Sequence, residues 1–97
     1  MKEINIESIV GNNNINIIDI RDNYLYNMGC IPGARNIPMN FLITNPDNYL
    51  NKEEEYYIYC IRGINSKRTC EILTKLGYNV VNLSGGFERY KLLFDKQ

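Results

Sequence analysis

"YYIYCIRGINSKRT", residues 56–69, decides how the rest of the chain is read. Aromatic and β-branched residues run into a cysteine, a glycine-containing loop follows, and a segment of helical pattern comes next. "YYIYC" (56–60) has the composition of a strand. Ser66 to Leu76 reads as a helix whose apolar stripe is Cys70, Leu73 and Leu76, with Ile72 alongside. Gly77 stands where a C-terminal glycine cap belongs. Asn65 or Ser66 is expected to cap the start of this helix. Gly63 is expected to take a positive φ at the tightest point of the loop. The junction is therefore strand, loop, helix, with Cys60 at the carboxyl end of the strand.

The same alternation extends in both directions. "INIIDI" (15–20) is an isoleucine-rich run that predicts a buried strand. "RDNYLYNMG" (21–29) predicts a short helix ending at Gly29. "IPGARNIPM" (31–39) holds two prolines and a glycine, and reads as a loop with a short strand around Arg35–Ile37. Residues 40–55 read as short helical turns on the surface. "NVVNL" (79–83) predicts another strand, and "SGG" opens a last helix over 86–94, with Phe87, Tyr90 and Phe94 on its buried face. Strands alternating with helices imply a parallel α/β sheet with right-handed crossovers and helices on both faces. Ligand sites in such sheets lie beyond the carboxyl ends of the strands, where Cys60 falls.

Bulk properties exclude several functions. The 97 residues suit a single domain, 1–97, with its own core. Formal net charge is zero and no basic block appears, which argues against a nucleic-acid partner. No apolar run approaches the roughly 20 residues needed to span a bilayer, so no membrane role is expected. "MKEINIESIV" has no long apolar stretch of the secretory kind, and a cytoplasmic location is expected. The three cysteines, Cys30, Cys60 and Cys70, are widely spaced and fit neither a disulfide framework nor a zinc pattern. There is no histidine, so a Ser-His or Cys-His pair is impossible within the chain. Neither a metal nor a cofactor is expected.

Any thiol chemistry must then activate sulfur without a general base. A free thiol is only about 3% thiolate at pH 7. A helix dipole contributes about 0.3–1 kcal/mol to a nearby anion, too little by itself to populate the thiolate. Loop N–H groups turned inward as an anion nest, together with the charge of Arg62, are expected to supply the rest. A small buried cysteine that merely ends a strand is the other reading, and the loop pattern alone leaves both open.

Two segments together resemble the rhodanese-like (sulfurtransferase) domain. "IIDIRDNYLYNMGCIPGARNIPM" (17–39) is similar to the family's Asp-x-Arg, short helix and Gly-His-Ile-Pro-Gly-Ala-x-Asn-Ile-Pro. "YIYCIRGINSKRTCEILTKLGYNVVNLSGGFERY" (57–90) is similar to its active-site half: Cys-x-x-Gly-x-x-Ser/Thr, a helix ending Leu-Gly-Tyr, then a strand, Gly-Gly and an aromatic. The resemblance covers nearly the whole chain and implies a mostly parallel five-stranded sheet. It implies that Cys60 accepts a sulfane sulfur from a small donor, thiosulfate or a persulfide, holds it as a persulfide and passes it to a thiol or protein acceptor. The loop Ile61, Arg62, Gly63, Ile64, Asn65 and Ser66 would bind the donor, with Asp19 and Arg21 in support. A monomer is expected.

Two positions depart from the family pattern. Many relatives carry arginine five residues after the cysteine, where this chain has Asn65; anion binding is then expected to rest on Arg62. Cys30 replaces the histidine of Gly-His-Ile-Pro-Gly, with little effect expected on the chemistry. Cys30 precedes a strand and is expected toward the opposite end of the sheet; Cys70 is expected in the core. Tyr56, Tyr57 and Tyr59 are expected to alternate between core and surface. The alternatives are a non-catalytic rhodanese-like protein-binding module, or a related cysteine phosphatase or arsenate reductase. The last needs a loop one residue longer with arginine six after the cysteine, where this chain has Ser66.

Overall fold

In a computed structural model, which describes residues 1–94, the chain forms one five-stranded parallel sheet in the order β1-β5-β4-β2-β3. The strands are β1 (Lys2–Asn5), β2 (Asn16–Asp19), β3 (Arg35–Asn36), β4 (Glu55–Tyr59) and β5 (Asn79–Ser84). The helices are α1 (Asn23–Met28), α2 (Met39–Thr44), α3 (Ile64–Lys75) and α4 (Gly86–Phe94). Two 3-10 turns, Ile6–Ile9 and Pro46–Asn48, complete the connections.

Every strand neighbour is parallel, as the alternation of elements predicts. β1 does not emerge from the sequence. All four of its residues are exposed, so it carries no apolar signature and is held by its register on β5, Lys2 beside Val81 through Asn5 beside Ser84. The turn that follows buries Ile6 and Ile9.

The central strands are covered on both faces, and the two faces form two separate cores. One contains Ile18, Leu42, Tyr56, Ile58, Cys70, Leu73 and Val80, packed under α2 and α3. The other contains Ile6, Ile9, Ile17, Tyr59 and Leu83, under the first 3-10 turn and α4. The tyrosines of β4 therefore alternate between two cores and not between core and surface: Tyr56 faces one, Tyr57 and Tyr59 the other. Residues 40–55 are likewise more than surface turns, since Leu42 and Leu50 are buried.

α3 ends as its sequence predicts. The Gly77 amide donates to Thr74 O and the Tyr78 amide to Leu73 O, the paired hydrogen bonds of a glycine C-terminal cap. Its buried stripe differs from expectation: Ser66, Thr69, Cys70 and Leu73 are buried, while Leu76 is half exposed. The helix starts at Ile64 and not at Ser66, which shifts its inner face toward the loop.

Candidate active site

Cys60 follows the last residue of β4 at the carboxyl edge of the sheet and is 5% exposed. Its Sγ accepts hydrogen bonds from the Gly63 amide and the Ser66 amide, each at 3.2 Å. Ser66 Oγ lies 3.3 Å from the same sulfur. Neither Asn65 nor Ser66 caps α3; Gly63 is the N-cap residue, at φ +92°, and offers no side chain. The sulfur takes the place of a capping oxygen. Ser66 is the third residue of the helix, and its N–H is one that a capping side chain would normally satisfy. The sequence cannot show this, because the acceptor comes from the end of a strand and not from the helix's own flank. Ile64 and Asn65, also in the first turn, have no carbonyl acceptor within their own helix. The positive end of a 12-residue helix dipole is thus directed at Cys60.

Inward-facing amides require outward-facing carbonyls, and α4 receives those. The Phe87 amide donates to Cys60 O and the Glu88 amide to Ile61 O, both at 2.9 Å. Gly86 makes this docking possible. A Cβ on Gly86 would stand 2.5 Å from Ile61 O and 2.7 Å from Cys60 O. Two helix N-termini therefore shape the loop, one supplying donors to the sulfur and the other fixing the loop carbonyls. "SGG" opens α4 as expected, but the clamping of the loop at Gly86 depends on an approach between backbones far apart in sequence.

A network of buried polar groups lies behind the site. The Asp19 carboxylate is fully buried and accepts from the Arg21 amide at 2.9 Å, from Arg21 Nη2 at 2.7 Å and from Tyr59 Oη at 2.7 Å. Arg21 also donates to Gly29 O at 2.7 Å and lies 4.2 Å from the Phe87 ring centroid. Burial and then the Asp19 charge push the Tyr59 phenol well above its ordinary range. Tyr59 therefore stays a neutral donor to Asp19, while its oxygen accepts from the Ile31 amide at 3.1 Å. Tyr59, which ties β4 to Asp19, was not singled out from the sequence; a tyrosine at a strand end carries no local sign of its partner.

The remaining expected residues are placed as follows. Ile61, Arg62, Ile64 and Asn65 line a cavity of about 500 Å³ that also reaches Cys60, Arg21 and Asp22. Gly63 and Ser66 are buried beneath it. The Arg62 side chain is 69% exposed and faces Glu88, with Nε 3.6 Å from the carboxylate. Cys30 is not at the opposite end of the sheet. It adjoins Gly29, which Arg21 binds, and shares a second cavity with Arg21 and Phe87 on the α4 side. The β3 register explains this: Asn36 pairs with Asp19, so the loop preceding β3 runs beside the carboxyl edge. Cys70 is fully buried near Cys60, and burial, then the Cys60 charge, pushes its thiol up to about 12. Among the described residues no cluster of histidine, cysteine or acidic side chains could hold a metal. No described helix is long and apolar enough to cross a membrane.

Comparison with known proteins identifies the family of the chain. A family model of the rhodanese-like domain matches residues 5–93. The Bacillus subtilis protein YqhL is 35% identical over 75 residues, covering 76% of this chain and 59% of its own length. The chain thus spans about three fifths of that relative. A second Bacillus subtilis protein, named "Putative sulfurtransferase YtwF", is 31% identical, covering 82% of this chain and 77% of its own. The crystal structure of SSP1007 from Staphylococcus saprophyticus superposes with a TM-score of 0.82 at 39% identity, covering 93% of both chains. With the family model matched across nearly its whole length, the chain belongs to the rhodanese-like domain family.

Proposed function

We propose that the protein is a sulfurtransferase that carries sulfane sulfur as a Cys60 persulfide. The observation that carries this reading is the pair of amides, Gly63 and Ser66, on a nearly buried sulfur at the N-terminus of α3. Such donors are placed to hold a sulfur nucleophile, and the outer sulfur of its persulfide, without any base. The chain has no histidine to act as one.

In the first half-reaction the Cys60 thiolate attacks the outer sulfur of a donor such as thiosulfate. A new S–S bond forms at Cys60 Sγ, the donor's S–S bond breaks, and sulfite leaves with the electron pair. In the second, a thiol or protein acceptor attacks the outer sulfur of the persulfide, and Cys60 leaves as thiolate. The cavity over Cys60, walled by Ile61, Arg62, Ile64 and Asn65, receives donor and acceptor in turn. Amides of residues 61–66 hold the outer sulfur, and Asp19 and Arg21 brace the loop from behind. The chemistry needs no cofactor. Cytoplasmic action as a monomer completes the proposal.

The test is incubation with a sulfane-sulfur donor followed by intact-mass measurement. Wild-type protein gains one sulfur, mapped to Cys60 by peptide analysis, and Cys60→Ser gains none while keeping its circular dichroism spectrum. Sulfur transfer at the wild-type rate by Cys60→Ser would remove the reaction from this loop. Persistent absence of the added sulfur in the wild type would favour a module that binds a partner without catalysis.

A further inference from the structure

We infer that Asn82 is a positioning residue for the Cys60 loop: held by Glu3, it ties the Gly63 carbonyl to the sheet and so keeps the Gly63 amide aimed at the sulfur. Its kinetic consequence rests on the sulfurtransferase reading; its geometry does not. Asn82 is a fully buried polar side chain within β5. It stands in register with Glu3 on β1 and, on its other side, with Ile58 on β4, two residues before Cys60. It shares the face of Val80 and Ile58, the face covered by α3. Its Nδ2 donates to Glu3 Oε2 at 2.6 Å and lies 3.5 Å from Gly63 O, a long hydrogen bond. Both hydrogens of the amide thus have an acceptor. Turned over, the amide would set Oδ1 against a carboxylate and a carbonyl, so the two acceptors fix its orientation. Among the described residues Oδ1 has no donor. A buried acceptor left unpaired costs stability, and a leucine of similar volume would avoid that cost. Packing alone therefore does not account for an asparagine here.

What Asn82 does supply is a link between the start of α3 and the strands beneath it. The Gly63 carbonyl already accepts from the Lys67 amide at 3.2 Å, a bond that fixes it within the helix but not against the sheet. The amide and the carbonyl of Gly63 belong to successive peptide planes joined at one Cα. Glycine leaves that joint loose unless both planes are held, and Gly63 sits at φ +92°. Cys60 Sγ holds the first plane, 3.2 Å from Gly63 N, and Asn82 holds the second against β5. Glu3 acts one step further back: it keeps the Asn82 amide turned toward Gly63.

The experiment compares wild type with Asn82→Leu, Glu3→Ala and Glu3→Gln. Cys60 persulfide formation is followed across thiosulfate concentrations by intact mass, the Gly63 and Ile58 amides by NMR hydrogen exchange, and unfolding by Tm. Asn82→Leu should lower the limiting rate about two- to fivefold, the worth of one weak hydrogen bond, and leave the half-saturating thiosulfate concentration unchanged. Exchange at the Gly63 amide should quicken by about the same factor, while Ile58 exchange and Tm hold. Glu3→Ala should move the rate and the Gly63 exchange in the same direction, and Glu3→Gln, which keeps an acceptor, should restore the wild-type values. That pair decides the outcome if Asn82→Leu does not fold. Gly63 exchange that changes less than about twofold in the variants overturns the inference. So does a rate loss that comes with a lower Tm and faster Ile58 exchange, which would make Asn82 a packing residue. A raised half-saturating concentration at an unchanged limiting rate overturns it too. If wild type takes up no sulfur but Gly63 exchange moves as expected, Asn82 stands as the holder of the loop and the sulfurtransferase reading falls.

Discussion

Replacing Gly86 with alanine tests whether α4 holds the Cys60 loop in shape. Gly86 lies at φ +63°, where an L-residue costs about 1–2 kcal/mol. Its new Cβ would meet Ile61 O at 2.5 Å, Ile61 C at 2.6 Å and Cys60 O at 2.7 Å. All three atoms are backbone, so no side chain can rotate aside. The start of α4 must back away, and the hydrogen bonds from the Phe87 and Glu88 amides lengthen or break. At about 0.5–1.5 kcal/mol each, their loss adds about 1–3 kcal/mol. The total is about 2–5 kcal/mol. Gly11→Ala is the matched control: its φ is +83°, and a Cβ there meets nothing within 4 Å. It should cost only the backbone part, about 1–2 kcal/mol. For a domain of this size each kcal/mol shifts Tm by about 4–8 °C. Thermal unfolding of both variants, with the rate of Cys60 persulfide formation below both transitions, separates the two contributions. Gly86→Ala should lose more Tm than Gly11→Ala and should also slow persulfide formation, because freed carbonyls let the loop amides turn away from sulfur. Equal Tm losses together with an unchanged rate would refute the clamp.

Three further outcomes are expected. Asp19→Asn leaves the buried Arg21 guanidinium uncompensated and should cost about 3–5 kcal/mol in urea unfolding; a loss below about 1 kcal/mol would show that the pair is dispensable. The Arg89 guanidinium, hydrogen-bonded to Glu7, lowers the Glu7 carboxyl from 4.5 to about 2. A depressed carboxyl stabilises the fold above its unfolded value, so this contribution should fade as pH drops from about 4.5 toward 2, and Arg89→Gln should flatten that part of the stability profile. Cys30→Ser and Cys70→Ala should each keep persulfide formation near the wild-type rate. Cys70, pushed up to about 12 chiefly by burial, should resist alkylation at pH 8 in the folded protein, and rapid labelling there would contradict its place in the core.

Much of the architecture is legible because it rests on local regularity. The isoleucine run at 15–20, the aromatic run at 56–60 and the valines at 80–81 identify strands buried on both faces, and the spacing of Cys70 and Leu73 identifies α3. Cys60 stands out for a similarly local reason, a cysteine between a strand and a glycine loop in a chain without histidine. β1 escapes because its four residues are exposed and its place depends on β5, nearly 80 residues away. Cys30 was expected at the wrong end of the sheet because chain order does not show how far along its neighbour a two-residue strand is offset.

The sequence by itself determined the fold class, the order of the elements from β2 onward and the candidate cysteine. Periodicity, turn residues and residue chemistry are properties of neighbours along the chain. Only the tertiary structure decided what surrounds the sulfur. Cys60 caps the helix that follows it, α4 takes up the carbonyls of its loop, and Glu88 holds Arg62 on α4. Each of these joins groups from different elements, so each depends on how strands and helices pack in three dimensions and leaves no periodic or compositional trace in the chain.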